Sequence, residues 1–198
     1  MKTNKIASII VIIISVLAIA IGILVPLRAP DNAVSQYFCD VNAITTRLNI
    51  NVSDMNSNKL FTIKGEFWNI AEDNLVMFDT EENVTREMRD DYNLIFQNDH
   101  YILDGNGFRY RMDGNFKVFA DSYTVYDNKD QHVADIVCSW GMTGVTMTDV
   151  DGNVIAQCTS NLIRQDYIVS IFENCEIDDE CVLIMFASCV SDARADNE

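Results

Sequence analysis

The sequence predicts an all-β domain closed around one buried C-terminal helix and preceded by an N-terminal transmembrane helix. Three observations predict it. From Lys59 onward, short β-branched and aromatic runs alternate with turn clusters, the pattern of a domain built from hairpins. A late run, "CVLIMFASCV" from Cys181 to Val190, is apolar on every side, as in a helix shielded all round. An uncharged stretch, Ile6 to Leu27, opens the chain.

At helical rise that opening stretch spans roughly 33 Å, enough to cross a bilayer core of about 30 Å. A signal-peptide core is shorter, about 7–15 residues, and is followed by a small-residue cleavage site. Here the run ends in "VPLRAPDNA", with Pro30 directly after Ala29. Residues 1–28 are therefore read as an uncleaved signal anchor that engages the lipid bilayer. Lys2, Lys5 and the amino terminus precede it, and Arg28 alone follows at once. That bias puts the N-terminus in the cytoplasm and the rest on the exported side, a single-pass arrangement. Residues 29–58, polar and rich in Asn and Asp, are assigned to a linker that lets a domain at 59–198 stand off the membrane.

Within 59–198 one unit recurs. "NLVMFDTEENVTREM", "DHYILDGNGFRYRM", "DSYTVYDNKDQHVADI" and "GVTMTDVDGNVIAQC" each hold an alternating strand ending in Asp, a few turn residues and a second strand. The aspartates Asp79, Asp104, Asp127 and Asp149 are 25, 23 and 22 residues apart, a period of one hairpin plus its link. They are read as turn formers. "TDVDGNV" also looks like the start of a calcium loop, which needs a glycine at position six and a glutamate at twelve. Counted from Asp149, those places fall to Val154 and Ser160; counted from Gly152, the loop starts at Met147 and ends at Cys158. Both registers fail.

Alternation puts Tyr123, Val125 and Asp127 on one strand face, Thr124 and Tyr126 on the other, and Phe116, Val118 and Ala120 together. Bulk on both faces suits a sheet that closes on itself around something apolar. About twelve strands fit between Leu60 and Phe172. The enclosed element is the helix of "EIDDECVLIMFASCVSDAR", whose Asp178, Asp179 and Glu180 complement a helix N-terminus. Its apolar part covers about 15 Å, half a bilayer, so it is not a second span.

The 198-residue chain carries a net charge of −16. Three of its 14 basic residues lie at or before Arg28 and no acid precedes Asp31, so the remainder holds 11 bases against 30 acids. Such a surface repels nucleic acid and anionic headgroups. The best basic patch is "FRYRM", and Arg109 and Arg111 are read there as solvated strand positions. Six cysteines (Cys39, Cys138, Cys158, Cys175, Cys181 and Cys189) show no CxxC pair, and His100 and His132 are the only histidines. No metal site, cofactor site or catalytic set follows from that inventory. Most of the thiols are read as buried and free. Cys175 and Cys181 flank a turn and could meet, whereas Cys181 and Cys189 lie about 12 Å apart along a helix, beyond disulfide reach. The sequons at Asn51 and Asn83 matter only in a eukaryotic secretory lumen.

The order of hairpins followed by "VIAQCTSNLIRQDYIVSIFENCEIDDECVLIMFASCVSDA" resembles the LURP-one-related proteins of the tubby C-terminal-like superfamily. Ala156, Asp166, Tyr167, Val169, Ile171, Asp179 and Asp192 stand where that family has its strand, its D-x-Y step, its acidic step and the end of its helix. The resemblance spans roughly Lys59 to Asp192. It implies a twelve-stranded β-barrel enclosing a C-terminal helix, as in tubby proteins and phospholipid scramblases. Tubby domains bind phosphoinositides through basic side chains, which this acidic domain mostly lacks. Scramblase-like relatives imply a calcium segment before the last helix, where Glu176, Asp178, Asp179 and Glu180 stand here; helix capping accounts for the same residues.

Two classes of function remain. One is a non-catalytic, membrane-tethered binding or structural module near the bilayer, with a lipid or protein ligand, or a receptor or assembly subunit. The other is a hydrolase using carboxylates on the barrel rim. There is no G-x-S-x-G, no metal-spaced histidine pair and no phosphate-cradling glycine loop, so the first is preferred. His100 beside Asp99 is the least implausible acid–base pair, but neighbours in a strand point to opposite faces.

Overall fold

The computed structural model describes residues 30–42, 48–65, 74–93, 97–115, 122–139, 144–160 and 166–195. Twelve strands run in chain order: β1 (Ser35–Val41), β2 (Asn49–Asp54), β3 (Lys59–Gly65), β4 (Leu75–Phe78), β5 (Val84–Asn93), β6 (Gln97–Asp104), β7 (Gly107–Asn115), β8 (Ser122–Asp127), β9 (His132–Cys138), β10 (Gly144–Asp149), β11 (Val154–Ser160) and β12 (Tyr167–Ile171). Each pairs antiparallel with its sequence neighbours. β1 pairs with β12, Ser35 opposite Ile171 and Cys39 opposite Tyr167, so the sheet closes into a barrel. One helix, α1 (Asp179–Ala195), follows the last strand.

The linker assignment is corrected here. Residues 35–54 supply β1 and β2, the strands that close the barrel. Among the described residues ten strands lie between Lys59 and Ile171; the count of twelve is met by this earlier hairpin. Its polar composition is that of a barrel's outer face. Cys39, Val41, Ile50 and Val52 point inward and are buried, while the residues between them, Asp40 and Asn51, are not. The stretch Ile6–Leu27 and the strand expected at Phe116–Ala120 lie outside the described residues. Among the described residues no helix is long and apolar enough to cross a membrane.

The recurring aspartates do make turns, and there is a fifth. In 54–58, 79–83, 127–131 and 149–153, the first Asp accepts the backbone N–H two residues on and again four residues on through Oδ1, at 2.8–3.0 Å. Its own N–H donates to the carbonyl of the fifth residue, and the fourth residue's N–H donates back to it. The fourth residue takes positive φ in every copy: Ser57 67°, Glu82 64°, Asp130 61°, Gly152 84°. This is a type I turn with a left-handed bulge residue, which matches strand twist in a three-residue hairpin. The register shifts at Val52/Ser53, Met77/Phe78, Val125/Tyr126 and Met147/Thr148 are its consequence. Asp104 heads the tighter turn, its Oδ1 accepting Asn106 N–H at 2.7 Å. All five turns lie at one end of the barrel, which we call the turn end.

α1 enters from that end. A barrel of about eight strands is filled by its own side chains, and one of sixteen leaves a channel; twelve leave room for a helix roughly 10–12 Å across. Every residue from Cys181 to Cys189 is buried, which is why the run is apolar on all sides. Inward residues of neighbouring strands face it in rows, such as Ile50, Ile63 and Met77, or Ile136, Met147 and Ala156. Met77, Met88, Met112 and Met147 are all fully buried; flexible thioether chains fill the uneven gap between a round helix and a pleated wall. Phe186, also fully buried, is the largest apolar side chain of that run. Phe186→Ala is expected to lower unfolding stability by about 3–5 kcal/mol, the usual cost of truncating a buried aromatic. Urea denaturation of the full chain checks this, and a loss under about 1 kcal/mol would mean the helix is not packed in the lumen.

Candidate functional site

β5 carries the polar groups that meet the helix. In "REMRD" the inward positions are Arg86, Met88 and Asp90, while Glu87 and Arg89 pair with each other outside at 2.7 Å. Arg86 reaches the mouth of α1: Nη2 lies 3.0 Å from Asp178 Oδ1, and Nη1 lies 3.1 Å from Glu180 Oε2. Asp178 also caps the helix, Oδ1 accepting Cys181 N–H at 3.0 Å. From β1, Tyr37 Oη donates to Asp179 Oδ2 at 2.5 Å. Burial of Asp178 favours its neutral form, but the bonds from Cys181 and Arg86 outweigh that and hold its pKa low. Burial likewise opposes the Arg86 charge, and contacts with Cys181 and Asp178 overcome it.

The acidic step is therefore committed to architecture. Asp178, Asp179 and Glu180 each have a protein partner, and Glu176 alone of the four turns outward to a surface cavity. Among the described residues no group of His, Cys, Asp and Glu side chains is arranged to hold a metal ion.

The second polar contact gives His100 a partner other than Asp99. His100 points inward and is fully buried; its Nδ1 bonds to Asp90 Oδ1, directly across the β5–β6 ladder. Its Nε2 lies 3.4 Å from Ser188 Oγ on α1, and its ring packs near Tyr123 with centroids 5.7 Å apart. Asp99 is on the other strand face, as alternation requires. Asp90, His100 and Ser188 stand in the order of a hydrolase triad. Ser188 is only 2% exposed and lies within a helix, where backbone N–H groups are committed to the helix itself. Neither cavity described below is lined by these residues. In this position the line ties the helix to the wall. Sequence reading missed Asp90, Ser188 and Arg86; the available signal was that strand alternation puts two charges of "REMRD" on the face of buried Met88.

The other candidates are placed plainly. Arg111 lies 2.6 Å from Asp113 and 2.9 Å from Asp130, over the Tyr126 ring, and Arg109 lies 3.4 Å from Asp104, so both arginines of "FRYRM" are paired with carboxylates. His132 Nε2 lies 3.1 Å from Asp135. Asn83 Nδ2 donates to Asp79 at 2.9 Å within its turn, and Asn51 sits mid-ladder between Asp40 and Thr62. All six cysteines are free, with Cys175 alone partly exposed; its thiol donates to Ile177 O at 3.4 Å.

The turn end has relief. A cavity of about 410 Å³ lies between the β8–β9 turn, the β10–β11 turn and the connection from β12 to α1, lined by Tyr110, Val133, Ile155 and Ile177 with Asp127, Asp149, Asp151 and Glu176. A shallower hollow of about 540 Å³ beside it touches Asn32, Val154 and Phe172.

Twelve antiparallel strands closed around a single apolar helix define a tubby-like barrel. An X-ray structure of a protein from Arabidopsis thaliana has the same fold, with a TM-score of 0.56 over 85% of this chain and 98% of that one, at 13% identity. At that identity the likeness is one of fold, and fold alone does not carry function. No protein-family model and no curated protein sequence matches the chain.

Two measurements test the reading of these groups. Arg86→Ala leaves Asp178 and Glu180 without their cation and is expected to cost about 1–3 kcal/mol in urea unfolding, the usual cost of leaving buried polar groups without their partner; a neutral result would remove Arg86 from the account of helix placement. The second is alkaline. Burial pushes Cys158 and Cys181 up to about 12 from 9.0, and burial with the Asp179 bond pushes Tyr37 up to about 12 from 10.0. The folded form then keeps protons that the unfolded form loses, so stability is full below pH 9.0 and falls as pH rises toward 12. The urea midpoint is expected to decline across that window and to be flat just below it; a flat profile throughout would contradict the buried thiols.

Proposed function

We propose that this chain is a membrane-tethered, non-catalytic barrel of the LURP-one-related kind, acting as a binding or structural module close to the bilayer. One observation carries the reading: the lumen is filled by the protein's own helix, and the polar groups within it hold that helix in place. The outer wall and the ends are then the surfaces left for recognition. The apolar stretch Ile6–Leu27 supplies the tether, with the N-terminus cytoplasmic and the barrel on the exported side. Pro30 brings the chain to the turn end, where Val34 N–H bonds to Ile171 O at 2.8 Å, so the tether joins the barrel at that end. The acidic surface argues against nucleic acid as a partner.

A protein partner is favoured over a lipid one by charge. The turns and the connection to α1 are dominated by carboxylates, with Lys59 and Lys129 as the cations among them, a surface that repels anionic headgroups. The test is fractionation of the full chain after expression, with an alkaline carbonate wash of membranes. The full chain is expected to stay in the pellet, and recovery in the wash overturns the tether. A fluorophosphonate probe addresses the catalytic alternative: no labelling is expected, and labelling of Ser188 that His100→Ala abolishes would make the barrel an enzyme.

A further inference from the structure

We propose that the cavity between the β8–β9 turn, the β10–β11 turn and the β12–α1 connection is a docking groove for a basic segment of a partner protein, seating a Lys or Arg side chain whose apolar stem lies on the groove floor. The inference deepens the binding-module reading and rests on it, but not on the tether.

Val133, Ile155, Ile177 and the half-buried ring of Tyr110 make the apolar part of the floor, and Asn174 and His132, the latter 3.1 Å from Asp135, complete the lining. The rim is anionic. Asp127 and Asp149 are held in place by the amides of their own turns, so their charge is fixed in position before anything binds. Among the described residues the carboxylates of Asp151 and Glu176 have no hydrogen-bond or salt-bridge partner. An apolar trough edged with carboxylates fits a side chain with a hydrocarbon stem and a cationic head. A neutral acyl chain would cover those carboxylates without pairing them, which is costly. An anionic headgroup would meet like charge.

The apolar surface around the groove points the same way. Of the seven large hydrophobics exposed among the described residues, only Val137 lies away from the turn end; Val150 is 58% and Val154 42% exposed beside the groove, and Val34 and Met55 lie on the same end. Apolar side chains grouped at one end and rimmed by charge mark a surface used for association. The occupant is therefore a segment in which basic and apolar residues alternate. Because the turns are locked by their own hydrogen bonds, little ordering is needed on binding.

The probe is a fluorescent, capped peptide of alternating Lys and Leu, titrated by anisotropy into the full chain in neutral detergent, with an alternating Glu and Leu peptide as control. Saturable binding that weakens with salt is expected, with methyl NMR shifts at Val150, Ile155 and Ile177. The double variant Asp151→Asn, Glu176→Gln should weaken it about tenfold, without changing the urea midpoint. The matched variant Glu81→Gln, Glu82→Gln, which removes the same charge from the β4–β5 turn at the same end, should change it by less than about twofold. Equal loss in both double variants would mean a diffuse acidic field and no groove. Absence of saturable binding, equal binding of the acidic peptide, or shifts confined to other residues would also overturn the proposal. Peptide binding by a chain recovered in the carbonate wash would strike the tether alone, and a pelleted chain that ignores the peptide would strike the groove alone.

Discussion

The width of a twelve-stranded lumen governs the rest of this molecule. Side chains from the wall do not meet across it, and water inside would leave the apolar inner face unsatisfied. The chain supplies its own filler. Because the filler is surrounded on all sides, it has to be apolar all round, and α1 is, from Cys181 to Cys189. Closure has a second benefit, since a sheet paired β1 to β12 has no free edge to recruit another chain.

An apolar cylinder inside an apolar tube is free to slide and rotate unless something directional holds it. β5 provides two such points. Arg86 grips Asp178 and Glu180 at the helix mouth, and Asp90 reaches Ser188 through His100. The spacings agree: four strand residues from Arg86 to Asp90 cover roughly 13 Å, and eight helix residues from Glu180 to Ser188 cover roughly 12 Å. Strand and helix both run away from the turn end, so equal rises keep both contacts in register. Tyr37 on β1, bonded to Asp179, adds a third point on another strand and opposes rotation. The polar residues of the interior thus do a job that hydrophobic burial, being non-directional, does not do.

Much of this was legible in the residues. The Asp-headed turns could be found because their chemistry is local, side chain to backbone within five residues. The helix could be found because full burial leaves no polar face. What escaped was non-local. The β1–β2 hairpin hides behind polar outward residues such as Asp40 and Asn51, and the β2–β3 turn headed by Asp54, 25 residues before Asp79, continues the period into a stretch whose composition reads as a linker. The partner of His100 escaped for the same reason. Alternation says which way a side chain points, and it correctly separated Asp99 from His100. It does not say which residue the next strand brings opposite, and that register put Asp90 there.

The same locality explains why the turn end has a character of its own. Each turn has an Asp oxygen at its head that collects backbone N–H groups, two in four of the turns and one at Asp104, and each repeat therefore adds a carboxylate to one end of the barrel. Five repeats concentrate charge there whether or not anything binds. Self-repulsion of that kind is destabilising, and it is offset by fixing the head carboxylates against amides, which holds the pKa of Asp54, Asp79, Asp127 and Asp149 below the usual carboxylate range. Those four would be present in any barrel built from such hairpins. Asp151 and Glu176 are different, because neither the turn nor the helix mouth uses their carboxylates. Charge that the fold does not require, placed over an apolar floor at the end where the chain leaves for its N-terminal segment, is the part of this structure that architecture does not explain.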